Sequence, residues 1–205
     1  MNEPNKLAII EKMFPKGHVT RLAGRYNIGK TMFATDVARL LSLKGERVIY
    51  FNNEMYLPDM NSMKCYIFDI AQLSIDEIEF ILSKHDYLDT AFIDNVELVD
   101  YNSSLDRANE LKEIWQSLEC IARKRNLRII GVSELHPFRI DGSENIQDDK
   151  LKYLKFGFPY GKMFIVHRSG FYTKEGRFNS KDMQQIDLIE LDNTFCVRSI
   201  EQYDF

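Results

Sequence analysis

Four residues near the start of the chain have types and a spacing suited to one kind of chemistry, the gripping of phosphate. Gly24, Gly29, Lys30 and Thr31, in the stretch AGRYNIGKT, fit G-x-x-x-x-G-K-S/T. Glycines let backbone amides converge on phosphate oxygens, and a helix N-terminus adds partial positive charge. A lysine ammonium reaches the outer phosphates, and a threonine hydroxyl can ligate magnesium. The candidate cradle is Gly24, Arg25, Tyr26, Asn27, Ile28, Gly29, Lys30, Thr31 and Met32. Its chemistry requires a strand before it and a helix after it. HVTRLA, His18 to Ala23, is a predicted strand ending at the first glycine, and TMFATDVARLLSLKG is a predicted helix that Gly45 is placed to stop. An ordinary strand-to-helix turn needs none of these residue types in that order and competes poorly.

A site that hydrolyses a nucleotide also needs one carboxylate in the magnesium shell and another to polarise the attacking water. Asp94 ends the apolar run TAFID, so its side chain should emerge at the carboxyl edge of a sheet, where it can hold a metal-bound water. Glu54 ends RVIYFNNE in the same way; on the residues alone, a water-activating base and an exposed loop acid are equally good readings of it. Ser133, Glu134 and His136 end LRIIGVSELH, where hydrogen bonding to a terminal phosphate and ordinary surface polarity both fit.

The elements that must position these groups alternate along the chain. After the first strand and helix, RVIYFNNEM and KCYIFDI read as strands, and SIDE places Ser74 and Glu77 as a capping box that opens the helix IDEIEFILSKH. TAFIDNVELV follows. Leu105, Ala108, Leu111, Trp115, Leu118 and Ala122 then recur at helical spacing, the buried stripe of a long helix. LRIIGVSEL and KMFIVHR are further strands, and QQIDLIELDNTFCVRSIEQY reads as a hairpin turning at Asp192-Asn193. Such alternation predicts an α/β fold, a mostly parallel central sheet with helices on both faces and a C-terminal β-hairpin, whose ligands bind beyond the carboxyl ends of the strands. Pro137 to Phe158 is the least patterned stretch and reads as a loop or mobile insertion.

Composition narrows the class further. With 205 residues, 44% hydrophobic and 28% charged, the chain suits one ordinary globular domain. A net charge of -4 gives no global attraction to nucleic acid or anionic membranes, so such binding would need a local basic patch. Cys65, Cys120 and Cys196 are far apart and odd in number, which argues against a disulfide framework and against a zinc site. No stretch approaches the roughly 18 apolar residues of a membrane span. A reducing cytoplasm is the expected compartment.

In order and over much of its length, the chain resembles the RecA-like ATPase domain of the DnaB-type replicative helicases. RLAGRYNIGKTMFATDVA is similar to that family's phosphate loop and helix, and VIYFNNEM to the strand whose last glutamate activates water. The run from KCYIFDI to NVELV resembles the approach to the magnesium-binding strand, and LKEIWQSLECIARKRNLRIIGVSEL the helix and sensor strand that follow. The resemblance implies a RecA-like P-loop NTPase, one ATPase domain over residues 1–205, with ATP and Mg2+ as cofactors. It assigns Gly24, Gly29, Lys30 and Thr31 to phosphate and magnesium, Asp94 to the metal, Glu54 to the water and Glu134 to the sensor position. Single-stranded DNA and replication or recombination proteins are the partners it implies.

The chain departs from that family in its ring machinery. An N-terminal domain and linker helix are expected to be missing, and the stretch between Met55 and Lys64 is short. Glu190 and Asp192 stand in the last hairpin where the family carries a lysine and an arginine that reach the next subunit's phosphate. Arg168, in IVHRSGF, matches a family arginine after the preceding strand, with a solvated strand-end charge as the competing reading. ARKRNLR reads foremost as a complement to a helix dipole. Lys150, Lys152 and Lys155, interleaved with Tyr153 and Phe156, fit a strand-binding loop or a solvated helix equally. Three classes of function remain: a minimal DNA-stimulated motor, an accessory ATPase docked on replication or recombination machinery, and a nucleotide-binding switch with little turnover.

Overall fold

The chain begins with a helix that its sequence pattern does not announce. In the computed structural model, which describes residues 3–53, 65–101, 105–135, 161–168, 185–192 and 197–205, helix α1 spans Glu3–Met13. Its buried side within that span is only Lys6, Ile10 and Met13, too sparse a stripe to register as amphipathic. Strand β1 (Val19–Gly24) and helix α2 (Lys30–Leu43) follow, then β2 (Val48–Asn52), β3 (Cys65–Asp69), α3 (Ile75–Ser83) and β4 (Thr90–Asp94). A short 3-10 turn, Val96–Leu98, leads towards α4 (Arg107–Arg125) and β5 (Arg128–Glu134). The last strands are β6 (Lys162–His167), β7 (Gln185–Leu191) and β8 (Val197–Asp204).

These eight strands form one sheet in the order β3-β2-β4-β5-β1-β6-β7-β8. From β3 to β6 every neighbour is parallel, and β7 and β8 close the far side as an antiparallel pair. The expected α/β fold is therefore present. The expected turn beyond Asp192, with Cys196, lies outside the described residues.

Both faces of the sheet are covered, which is why its central strands are apolar on both sides. One core joins α1 and α2 to Leu22, Tyr50, Phe92, Ile130, Val132 and Phe164; the other joins α3 and α4 to Val19, Ile49, Ile93, Ile129 and Ile165. Trp115 of α4 lies so close to β5 that a Cβ on Gly131 would stand 2.4 Å from its ring. Only glycine admits that approach. The capping box on α3 is formed as its sequence requires, with the Glu77 amide donating to Ser74 Oγ at 3.3 Å and the Ser74 amide to Glu77 at 2.8 Å. No helix among the described residues is long and apolar enough to cross a membrane.

Candidate functional site

The phosphate-type loop stands where β1 leaves the sheet. Gly24 is paired with Glu134 on one side and Val166 on the other. The chain then makes a tight turn in which Asn27 and Gly29 take positive φ, 57° and 102°, while Ile28 is driven into the core. Gly29 is the N-cap of α2, and its carbonyl accepts from the Phe33 amide at 2.9 Å. No side chain caps this helix end. Its first amides thus carry the partial positive charge that attracts an anion.

Lys30 opens that helix, yet it is buried, and its Nζ donates to the Arg25 carbonyl at 3.0 Å. The lysine stem reaches this position by crossing Gly24, where a Cβ would lie 3.1 Å from Lys30 Cγ and 2.9 Å from Ile28 Cγ2. The spacing seen in the sequence therefore has a steric cause. Thr31 and Met32 are half-buried at the helix start, Arg25 is half-buried, and Tyr26 and Asn27 are exposed.

Asp94 ends β4 at the same edge, two strands from β1. It alternates with Phe92, which belongs to the core beneath α2, so its carboxylate points to the face that carries the loop. It is fully buried and accepts a hydrogen bond of 2.7 Å from the Tyr50 hydroxyl, with the Tyr50 ring stacked on Phe92. Tyr50 was not foreseen as a partner. Its position two residues before the end of β2, in register with Phe92, was the available signal.

Glu134 stands in register with Gly24, and strand alternation with Val132 puts its side chain on the α2 face as well. Ser133 points the other way, where it bonds Arg21 and Glu97. Glu54 and His136 lie outside the described residues. Asn53, the last described residue before Glu54, is anchored at this edge: its amide donates to the Asp94 carbonyl at 2.6 Å and its Nδ2 to the Asn95 carbonyl at 3.4 Å.

The solvated strand-end reading of Arg168 does not hold. The residue follows β6 directly and is buried, with its guanidinium carbon 5.5 Å from the Phe205 ring. Its Nη2 comes within 2.9 Å of where a Cβ on Gly29 would be, so a cation of this chain leans on its own loop. Burial lowers the guanidinium pKa from its ordinary value, which still leaves an arginine charged at neutral pH. Glu190 sits elsewhere. It pairs with Phe164, and Leu191 with Met163, towards the start of β6 and hence at the edge opposite the loop. There Ser199 donates to it at 3.1 Å, and Arg198 and Lys162 lie 3.6 and 3.9 Å away.

No family model matches the chain, and no curated protein matches it in sequence. Solved structures match it in shape. A structure described as an ATPase domain superposes with a TM-score of 0.75 at 16% identity, over 97% of this chain and 86% of that one. The structure of a DnaB-like replicative helicase, described with its interactions with primase, superposes with a TM-score of 0.70 at 15% identity, over 97% of this chain and 59% of that one. At such identities the likeness establishes the fold: a mostly parallel α/β sheet of the kind found in RecA-like helicase ATPase domains, completed by the antiparallel β7–β8 pair.

Proposed function

We propose that the chain is a Mg-ATP-binding, RecA-like ATPase related to replicative DNA helicases, one ATPase unit over residues 1–205, and that it turns over slowly when alone. The observation that carries this reading is the convergence at one sheet edge of an uncapped helix start, buried Lys30 and buried Asp94. Backbone amides from Gly24 to Met32 would receive the phosphates, and Lys30 would exchange the Arg25 carbonyl for a phosphate oxygen. Thr31 and Asp94 would hold magnesium, which, when bound, neutralises charge on the phosphate oxygens. Glu54 is the assigned base for water and Glu134 the group that senses the terminal phosphate. Arg168 supplies a second cation from the same chain.

The resemblance to replicative helicases favours a role in DNA replication or recombination, as a minimal DNA-stimulated motor or an accessory ATPase. The deciding experiment measures ATP turnover with and without single-stranded DNA, on protein whose oligomeric state is determined in parallel. Strong stimulation with ring formation supports the motor. Turnover that ignores DNA supports the accessory role. Tight nucleotide binding without turnover supports a nucleotide switch and overturns the hydrolytic reading.

A further inference from the structure

We infer, on the footing of that ATPase reading, that Glu97 is a positioning residue: its carboxylate ties the sensor end of β5 to the turn that follows Asp94. The turn is itself held firmly, since Asn95 Oδ1 accepts from the Glu97 amide at 2.9 Å. From this fixed point the Glu97 side chain reaches across to β5. Its Oε2 accepts from the Glu134 amide at 3.1 Å, and its Oε1 accepts from the Ser133 hydroxyl. Ser133 Oγ in turn accepts from Arg21 Nε at 2.9 Å, and Arg21 Nη2 lies 3.5 Å from Glu97 Oε1. Three elements meet at one carboxylate: β1 just before the phosphate-type loop, the end of β5, and the exit of β4.

The network lies on the face opposite α2, inside an otherwise apolar layer. Arg21 and Ser133 are buried, and the Trp115 ring covers the Arg21 guanidinium at 5.5 Å. Buried ion pairs seldom stabilise a fold more than apolar residues of similar volume would, because desolvation offsets their attraction. Stability alone is a weak reason for Arg21, Ser133 and Glu97 to be there. The ladder already pairs Gly24 with Glu134 and Asp94 with Val132; what these side chains add is a tie from the end of β5 to the turn beyond Asp94, which lies past the ladder. The Asp94 carbonyl and the Asn95 carbonyl are bonded by Asn53, and the Leu135 amide bonds the Gly24 carbonyl at 2.9 Å. Glu97 therefore stands between the magnesium strand, the sensor strand and the loop. If its carboxylate is removed, the Glu134 amide loses its partner at the last residue of β5. The Glu134 side chain, on the loop side, is then held by the pairing with β1 and the Leu135 bond to Gly24 without this second tie, and its position above the loop loosens.

The test compares Glu97→Gln, Ser133→Ala and the double variant Arg21→Met, Glu97→Leu with the parent and with Lys30→Ala. Turnover is resolved into kcat and KM for ATP, melting is followed, and amide hydrogen exchange is read at Glu134 and Leu135. The apolar pair is expected to melt close to the parent. It should lose about tenfold or more in kcat with KM nearly unchanged, as misplacement of a reacting group does, and exchange at Glu134 should accelerate about tenfold. Glu97→Gln keeps an acceptor for the Glu134 amide and should recover most of the kcat. Ser133→Ala should fall between, and it decides the matter if the double variant does not fold. Unchanged kcat in a folded double variant overturns the inference, as does unchanged exchange at Glu134. If the parent turns over no faster than Lys30→Ala, the ATPase reading fails; the exchange measurement then still decides whether Glu97 fixes this edge.

Discussion

The two edges of the sheet hold different sets of charged groups, both on the side that carries the loop helix and on the side away from it. At the amino edge, cations meet carboxylates: Arg128 donates to Glu46 at 2.7 Å, Lys16 to Asp89 at 2.8 Å and Arg123 to Glu119 at 2.7 Å. At the carboxyl edge, Lys30 takes a backbone carbonyl, Arg168 lies against a glycine and an aromatic ring, and Asp94 takes a tyrosine hydroxyl. The amino edge carries ion pairs, and the carboxyl edge carries the loop with Lys30, Arg168 and Asp94 beside it. Substitutions at the two edges should therefore fail in different assays.

The largest effects belong to the carboxyl edge. Lys30→Ala is expected to abolish turnover and weaken ATP binding while melting stays near the parent, as measured by steady-state assay and calorimetry. Glu54→Gln should keep nucleotide binding and lower turnover about 10² to 10⁴-fold, since the amide retains shape without a basic oxygen. Loss of binding in a folded Glu54→Gln protein would remove Glu54 from the water-activating role. The amino edge should give the converse. Arg128→Met leaves the Glu46 carboxylate, only 11% exposed, without its guanidinium. This should cost about 3 kcal/mol in denaturant unfolding with turnover per folded molecule unchanged.

Arg168 sharpens the comparison, because IVHRSGF left it between a family arginine and a solvated strand-end charge, and its burial beside Gly29 removes the second reading. Arg168→Ala should lower turnover about 10²-fold, the typical cost of one oriented donor at developing charge. Mixing that variant with Lys30→Ala should restore nothing, because the guanidinium serves its own chain's loop, and specific turnover should stay flat across a protein concentration series. Restoration on mixing, or a steep rise with concentration, would assign Arg168 to a neighbour's site and favour the ring helicase. Glu190→Lys with Asp192→Arg should not raise the turnover of the isolated chain. Glu190 and the end of β7 lie at the opposite edge, where Glu190 is engaged by Ser199, Arg198 and Lys162.

What could be read from the sequence was local. The loop, the strand-helix alternation and the Ser74–Glu77 cap each depend on residues within a few positions of one another. Asp94 was legible because an apolar run ends at it. The unread features depend on distant residues meeting. Nothing near Arg21 in HVTRLA shows its partners, because Ser133 comes from β5 and Glu97 from the turn after β4. The direction in which the last hairpin points needed β7 to be set antiparallel beside β6. Helix α1 is stabilised by its contacts with α2 more than by its own pattern, Lys6 included.

The smallest expected effect tests a carboxylate outside both edges. Asp36 of α2 accepts from the Tyr203 hydroxyl at 2.6 Å and from Arg39 at 2.8 and 3.0 Å, and lies 3.4 Å from Lys6, so it pins α1 and β8 to the helix behind the loop. Burial alone would raise its pKa, but the hydrogen bonds from Tyr203 and Arg39 and the charge of Lys6 outweigh it and hold the pKa below the usual value. A carboxylate depressed in the folded state contributes stability that is complete above its unfolded pKa of about 3.9 and is lost as pH falls through the folded value. Asp36→Asn should therefore lower stability at pH 7 by about 1 to 2 kcal/mol, read as a fall in melting temperature. The gap to the parent should narrow as pH drops below about 4. Nucleotide affinity should not change, since the groups that meet Asp36 are structural. A constant gap down to about pH 2 would mean that the Asp36 charge is not what pins these elements. An altered affinity would mean that α2 transmits their docking to the loop.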